Sequence, residues 1–378
     1  KPSVKRKEGN VIWIHAASVG EALSVLKVIS EIEKIESVDQ VLLTTGTTSS
    51  AEIVVNRLGP KTVHQFIPLD IPLFNKRFLK YWNPTSAIFV ESEIWPNLLT
   101  QTKKLQIKIA IINGRMTLNS YSKWLRFKQS SKNIFKSFDL CLTQNEESSL
   151  FYRKLGINNT YYTGNLKFSS DKLKVDDGAY GDLKNILKGR KIFLAASTHL
   201  GEEKIISEIT KKIRETNKEF ITIIVPRHPN RSGLLPQMIN CKVVTRSANE
   251  KIDQNTDIYL ADTFGELGLF YKLADFIFIG GSFVRHGGQN PIEAAYFCGN
   301  IFHGKYIENF LEVYETLNHL FITELVDNPR QLQVKLMNCY NQTPLGEDEL
   351  IKKINLEASD ILEDTMEHIN SKILNNDI

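Results

Sequence analysis

The sequence contains no Asp-x-Asp triplet, no Cys-x-x-Cys pair and no His-Glu-x-x-His pattern. The first absence removes a common metal–diphosphate anchor, and the other two remove the usual zinc arrangements. Neither a metal nor a bound cofactor is therefore expected. The four cysteines (Cys141, Cys241, Cys298, Cys339) are scattered along the chain, which excludes a disulfide framework and fits a reducing compartment. No apolar run approaches the ~20 residues of a spanning helix, and there is no signal peptide, internal repeat or low-complexity tract.

Acid is missing locally. Residues 94–138 hold no Asp or Glu but nine Lys and Arg. Aromatics interleave the end of this stretch. On one helix, Trp124, Phe127, Ile134, Phe135 and Phe138 would share a face, with Lys128, Lys132 and Lys136 as a flanking stripe. Two readings stay open: a core-facing helix with a solvated stripe, or a surface for anionic lipid. No recognition motif accompanies the charge, so nucleic acid is not an expected partner.

What is present is an ordinary globular composition, 42% apolar and 24% charged over 378 residues, long enough for two domains. The first half alternates β-rich runs (Val11–Ala16, Val41–Thr44, Val63–Ile67, Ala87–Val90, Lys108–Ile112, Leu140–Thr143) with helical stretches such as Ala22–Ile35 and Ser50–Arg57. The alternation restarts with Ile192–Ala196, Ile221–Val225, Val243–Val244, Ile258–Leu260, Phe276–Ile279 and Asn300–Phe302. This predicts α/β architecture with two parallel sheets. The expected domains are 1–168 and 191–346, with a polar linker over 169–190. A long C-terminal helix in 347–378 is expected to pack back on the first domain.

Polar motifs fall at the carboxyl ends of strands, where open parallel sheets bind ligands. Gly280, Gly281, Gly287 and Gly288 lie within nine residues and lead to Asn290-Pro291-Ile292-Glu293. Glycines before a helix let amides approach a phosphate; Asn290 and Glu293 also have cap spacing. Ser197, Thr198 and Arg227 follow two other strands of that half, and Arg227 can contact phosphate or carboxylate in bidentate fashion. In the first half, Ser18-Val19-Gly20-Glu21 has capping-box spacing, as do Ser49/Glu52 and Thr263/Glu266. Glu21 is either a cap or a general base that the helix N-terminus keeps ionised. Thr45, Gly46 and Thr47 form a small polar loop suited to an anion. Glu91 and Glu93 either share a proton or hydroxyl, or occupy the first turn of the next helix.

The ordered set His15…Ser18-Val19-Gly20-Glu21, Thr44-Thr45-Gly46-Thr47, Glu91-Ser92-Glu93-Ile94-Trp95-Pro96-Asn97, Asn113-Gly114-Arg115, Gly164-Asn165-Leu166-Lys167, Ala195-Ala196-Ser197-Thr198-His199, Pro226-Arg227-His228-Pro229, Gly280-Gly281-Ser282 and Gly288-Gln289-Asn290-Pro291-Ile292-Glu293 closely resembles the Kdo (3-deoxy-D-manno-octulosonic acid) transferase family. The resemblance covers roughly residues 11 to 320. It implies a GT-B fold, two Rossmann-like domains facing across a cleft, and an inverting glycosyltransferase of lipopolysaccharide biosynthesis. The implied donor is CMP-Kdo and the implied acceptor a lipid A precursor, at the cytoplasmic face of the inner membrane. Glu21 becomes the catalytic base. Arg227, Gly281, Ser282, Asn290 and Glu293, with Ser197 and Thr198, become the donor site. Ser18, Gly20, Thr45, Gly46, Thr47, Glu91, Glu93, Arg115 and Lys167 become acceptor or Kdo contacts, with Arg115 or Lys167 holding the Kdo carboxylate. Trp124, Lys128, Lys132 and Lys136 become the membrane surface. Family members usually begin with an anchoring helix; it is expected to be missing from this chain, with the basic stub Lys1–Lys7 where it would join. Gln289 replaces a common His and receives no role, and the stretch before Asn309-Phe310 departs from the family. Two alternatives remain: a GT-B enzyme with another nucleotide sugar, or a non-catalytic nucleotide-sugar-binding membrane protein.

Overall fold

A computed structural model describes residues 4–170, 172–340 and 345–374. The chain forms two compact units. One comprises Lys1–Ser170 together with Asn355–Ile378, the other Asp171–Ile354.

The first unit holds a seven-stranded parallel sheet among the described residues: β1 (Val11–His15), β2 (Gln40–Thr45), β3 (Thr62–Phe66), β4 (Ser86–Val90), β5 (Lys108–Gly114), β6 (Leu140–Thr143) and β7 (Thr160–Tyr162). Their order is β3-β2-β1-β4-β5-β6-β7. β1 and β4 are buried along their whole length, as expected of central strands with helices on both faces. Trp13, Phe78, Phe89 and Trp82 fill the core on one side of the sheet. The order reverses between β1 and β4, so the loops after these two strands diverge and leave a crevice at their carboxyl ends.

The second unit repeats the plan with β8 (Lys191–Thr198), β9 (Phe220–Pro226), β10 (Val243–Thr245), β11 (Ile258–Leu260), β12 (Phe276–Ile279), β13 (Ile301–His303) and β14 (Thr323–Leu325). The order is β10-β11-β9-β8-β12-β13-β14, and the reversal falls between β8 and β12. These are two Rossmann-like α/β units, the GT-B class of fold.

Several expectations need correction. Residues 169–190 contain the helix Asp177–Ile186, and 171–190 belong to the second unit rather than to a linker. The helix expected over Ala22–Ile35 is two, Val19–Ser24 and Leu26–Lys34, broken at Val25. The aromatic end of the basic stretch, expected as one helix, is likewise two, Leu118–Leu125 and Lys128–Phe135. Phe127 at the break is exposed, whereas Trp124 packs edge-on against buried Phe135 and Phe138 is core. Its aromatics therefore do not form one membrane face. The C-terminal helix Glu347–Ile369 enters the first unit at Asn355. There Ile361 lies against Gly164, where a Cβ would sit 2.7 Å from it, and His368 stacks on Tyr161. Residues 375–378 of the expected C-terminal segment, and Lys1 of the stub, lie outside the described residues. Arg6 is fastened by its guanidinium to the carbonyl of Trp82. Among the described residues no helix is long and apolar enough to cross a membrane.

Candidate functional site

β1 delivers His15 to the sheet's carboxyl end, and Ser18 then caps the helix Val19–Ser24, its hydroxyl accepting from the Glu21 N–H. Glu21 reciprocates: Oε1 accepts from the Ser18 hydroxyl (2.7 Å) and Oε2 from the Ala17 N–H (2.9 Å). Of three sequence patterns with capping-box spacing, this is the one whose first residue caps its helix, the carboxylate reaching the Ala17 N–H rather than that of Ser18. Ser49 lies inside a helix capped by Thr47, and Glu266 is itself a cap residue. Glu21 was expected to stay ionised at the helix N-terminus. Burial raises its pKa from the ordinary carboxylate value; the Ser18 and Ala17 bonds oppose this, and the nearby charges of Glu91 and Glu93 add to it. A carboxylate poised in this way is a better base near neutral pH than an unperturbed one.

The loop after β4 supplies Glu91 and Glu93, which neither share a proton nor enter the next helix. That helix, Pro96–Lys104, begins after Trp95. Glu91, in a left-handed conformation (φ 57°), is paired with Lys167 at 2.7 Å. Glu93 accepts from Trp95 Nε1 (2.7 Å) and faces His15 Nε2 (3.3 Å). Burial pushes Glu93 up, but these two hydrogen bonds outweigh it and its pKa is lowered. His15 is buried, with Nδ1 3.1 Å from both the carbonyl and the hydroxyl of Thr44; that hydroxyl accepts from Trp13 Nε1.

Lys167 reaches Glu91 because two distant loops are locked together. Asn113 Oδ1 accepts from the Leu166 N–H, Gln144 Nε2 donates to the Asn113 carbonyl, and Asn165 Nδ2 donates to Gln144. The carbonyl of Arg115 accepts from Ser92 and Tyr152, which brings Arg115 beside the same loop. Ser18, Glu21, Glu91, Glu93, Arg115 and Lys167 thus gather at one end of the first sheet. The Lys167 ammonium is paired with Glu91. Thr45 is buried with its hydroxyl on His64 (2.9 Å), and Thr47 is a helix cap, so neither side chain serves as expected. Gly46 donates its N–H to the Ala17 carbonyl, and Gly20 is exposed with open space around it.

In the second unit the glycine loop departs most from expectation. The amides of Gly281, Ser282 and Phe283 do not face an empty phosphate cradle. They donate to the buried carboxylate of Glu202 at 2.7, 3.1 and 2.9 Å, and His199 N–H adds a fourth bond at 2.9 Å. The Ser282 hydroxyl donates to Ile279 O and accepts from Gly304 N–H, so it is engaged within the protein. Gly280 is needed for close approach, because a Cβ there would lie 2.5 Å from Ser197 O. Ser197 itself is left-handed (φ 57°) at a bulge in β8, and Thr198 is buried with its hydroxyl on Glu203. Asn290 caps locally, accepting from Ile292 N–H, and the helix that follows is a single turn, Ile292–Ala295, with Pro291 at its cap position.

What remains at the carboxyl ends of β8, β9 and β12 is a cationic and imidazole cluster. Arg227 is exposed and acts electrostatically on Glu293, whose pKa burial raises and Arg227 opposes. His199 stacks on His286 at 3.7 Å, and Gln289 Nε2 lies 3.1 Å from His199 Nε2. Burial, then His286, Arg231, His228 and Arg227, push His199 down to about 4. Imidazole N–H groups, an amide and an exposed guanidinium suit an anionic ligand. Among the described residues no three His, Cys, Asp or Glu converge as a metal site. Sequence reasoning missed His199, Glu202 and His286 and set Gln289 aside. The repeat of Gly20-Glu21 as Gly201-Glu202 after an equivalent strand was the available signal.

A family model described as 3-deoxy-D-manno-octulosonic-acid transferase (kdotransferase) matches residues 1–170. A 3-deoxy-D-manno-octulosonic acid transferase of Rickettsia felis is 39% identical over 300 residues, 78% of this chain and 64% of that protein. The chain therefore spans less than two thirds of that relative's length. Its counterpart in Haemophilus influenzae is 32% identical over 317 residues, 81% of this chain and 73% of that protein. In three dimensions the chain is similar to a glycosyltransferase of Rickettsia africae, with a TM-score of 0.66 at 13% identity over 98% of this chain and all of the other, a likeness of fold. With the Glu21, Glu91–Lys167 and His15–Glu93 arrangement held on the segment the family model covers, and with identity above 30% across most of the sequence, this chain belongs to the 3-deoxy-D-manno-octulosonic acid transferase family.

Proposed function

We propose that the chain transfers Kdo from CMP-Kdo to a hydroxyl of a lipid A precursor by direct, inverting displacement, at the cytoplasmic face of an anionic inner membrane. Family membership supports the class of reaction. The observation that carries the mechanism is Glu21, a partly buried carboxyl with a raised pKa, oriented by Ala17 and Ser18 at the carboxyl end of β1. It takes the proton of the acceptor hydroxyl as that oxygen attacks the anomeric carbon opposite the CMP. Glu91, held by Lys167, and Glu93, held by His15 and Trp95, keep negative charge around Glu21 and so keep its proton affinity high.

The nucleotide is assigned to the second unit, with Arg227 on the phosphate and Glu293 on the ribose. Charge growing on the departing phosphate is met by Arg227 and by the His199–His286–Gln289 group. Gly281 and Ser282 act by shape, their amides being committed to Glu202. Incubation with CMP-Kdo and a lipid A precursor, read by product mass, tests the reading and counts the residues added. A mass gain of one or more Kdo units is expected. Turnover with a UDP-sugar and none with CMP-Kdo would replace the donor, and nucleotide binding without turnover would make the protein a binder.

A further inference from the structure

The carboxyl ends of β8, β9 and β12 gather imidazoles and guanidiniums around one pair of rings. We propose that this pair, His199 and His286, carries the proton that neutralises the departing CMP phosphate. The inference deepens the proposed function and rests on its donor site. Three loops build the cluster. β8 ends in a bulge that delivers His199, the chain after β9 brings Arg227, His228 and Arg231, and the loop after β12 brings His286 and Gln289. Gly281 gives the His199 ring its room, since a Cβ there would sit 3.2 Å from Cδ2. The His286 carbonyl accepts from Asn309 Nδ2 (3.1 Å), which fastens its loop to the one after β13. The two rings then lie 3.7 Å apart, tilted by 33°, with His199 buried and His286 exposed.

Two imidazoles this close do not both carry charge readily, because like charges out of water repel strongly. The pair therefore titrates as a unit and holds one mobile proton. The surrounding groups decide when. The nearby acids are already engaged: Glu202 accepts four N–H groups, and Glu203 holds Arg231 Nη2 and the Thr198 hydroxyl. Glu293 lies in the field of Arg227. Arg285, next to His286, faces Tyr306 and feels Glu308. Burial, with the charges of His286, Arg231, His228 and Arg227, pushes His199 down to about 4. An anion beside Arg227 reverses the sign of that field, so phosphate and proton bind together. Gln289 suits both states. Its Nε2 lies 3.1 Å from His199 Nε2 and 3.5 Å from His286 Nδ1. An amide offers N–H to a neutral ring nitrogen and, turned over, its oxygen to an imidazolium.

The step balances. The acceptor oxygen attacks the anomeric carbon and passes its proton to Glu21. The bond from that carbon to the phosphate oxygen breaks, and its electron pair stays on the oxygen. The imidazolium gives its proton to this oxygen, so CMP leaves with one negative charge fewer. Solvent then takes the proton from Glu21 and returns one to the imidazole pair. Arg227 does not replace the pair in this step, because a guanidinium keeps its proton. A carboxylate is thus the base of the reaction and an imidazolium its acid.

Calorimetry of the whole chain with the methyl ester of CMP tests the inference. This probe carries a phosphodiester, as CMP-Kdo does, and that group does not titrate near neutral pH, so a proton taken up goes to the protein. In buffers of different ionisation enthalpy, binding to wild type should take up about one proton. Affinity should fall by up to about tenfold per pH unit above neutrality. His286→Phe keeps a ring against His199 but no exchangeable proton. Its uptake should largely disappear, and its melting temperature should hold because the side chain is exposed. Its kcat with CMP-Kdo and a lipid A precursor should drop by ~10²-fold. Wild-type kcat should also fall at high pH as the imidazolium is lost, a limb the variant should lack. A purely structural ring would change stability or KM and leave the proton count alone. Equal uptake in wild type and variant, binding without uptake, or a high-pH limb that persists in His286→Phe overturns the inference and leaves the donor assignment standing. A wild type that binds neither CMP nor its methyl ester overturns both. Uptake without turnover of CMP-Kdo overturns the reaction and, with it, the acid step.

Discussion

The two units use nearly the same words after the same strand. The first reads Ala16-Ala17-Ser18-Val19-Gly20-Glu21 after β1, the second Ala195-Ala196-Ser197-Thr198-His199-Leu200-Gly201-Glu202 at the end of β8. Both strands sit at the reversal of their sheet. Yet Glu21 accepts one backbone N–H and one hydroxyl and keeps access to solvent, while Glu202 is fully buried with four backbone N–H groups on its two oxygens. The neighbouring strand makes the difference. After β4 the loop carries acids, which repel Glu21. After β12 the loop turns the amides of Gly281, Ser282 and Phe283 onto Glu202 and captures it. One carboxylate is left able to exchange a proton, and the other becomes part of the scaffold of a ligand loop.

Breaking each carboxylate should therefore fail differently. Glu21→Gln should cut transfer by ~10²–10⁴-fold with unfolding free energy and nucleotide binding unchanged. Retention of more than about a tenth of the rate in a turnover assay would remove Glu21 as the base. Glu202→Ala should do the reverse and cost about 3–5 kcal/mol in urea unfolding, because four buried amides lose their acceptor. A variant as stable as wild type would show that the glycine loop does not depend on the carboxylate. Arg227→Ala should weaken CMP by about 10–100-fold in calorimetry, as loss of a charge-assisted contact does, with a reduced salt dependence. Unchanged affinity would move the phosphate away from β9. The smallest effect concerns pH. The base must be deprotonated, so kcat/KM should fall as pH drops through the raised pKa of Glu21. Glu91→Gln removes a neighbouring negative charge, which favours ionised Glu21, so this acid limb should move to lower pH. A limb that stays or rises would mean Glu91 does not act on Glu21 through charge.

Much of the fold was legible because buried parallel strands are short, apolar and β-branched. Leu140–Thr143, Ile258–Leu260 and Phe276–Ile279 match the expected runs, while Thr160–Tyr162 and Thr323–Leu325 were missed as short, half-exposed edge strands. The capping box of Glu21 was legible as well, since it involves neighbours three residues apart. The helix break at Arg126–Phe127 was not. Helical periodicity ran through it, and Phe127 points to solvent while Trp124 and Phe135 meet in the core. The glycine loop misled for a related reason: glycines admit an incoming group but do not say whether it is a phosphate or the protein's own Glu202.

By itself the sequence determined what local spacing and order can carry: two rounds of strand–helix alternation, loops of small and polar residues at strand ends, and the ordered motifs of one family. Tertiary structure decided which loops meet. Gly281 and Glu202 are 79 residues apart, and Leu166 and Asn113 are 53 apart. Crossover connections bring each pair to one end of a sheet. Whether a carboxylate there is a base, an ion-pair partner or a plug for backbone amides depends on the donors and charges that the adjoining strand delivers, and these set its burial and proton affinity. No spacing along the chain encodes that neighbour, because it is fixed by strand order in space.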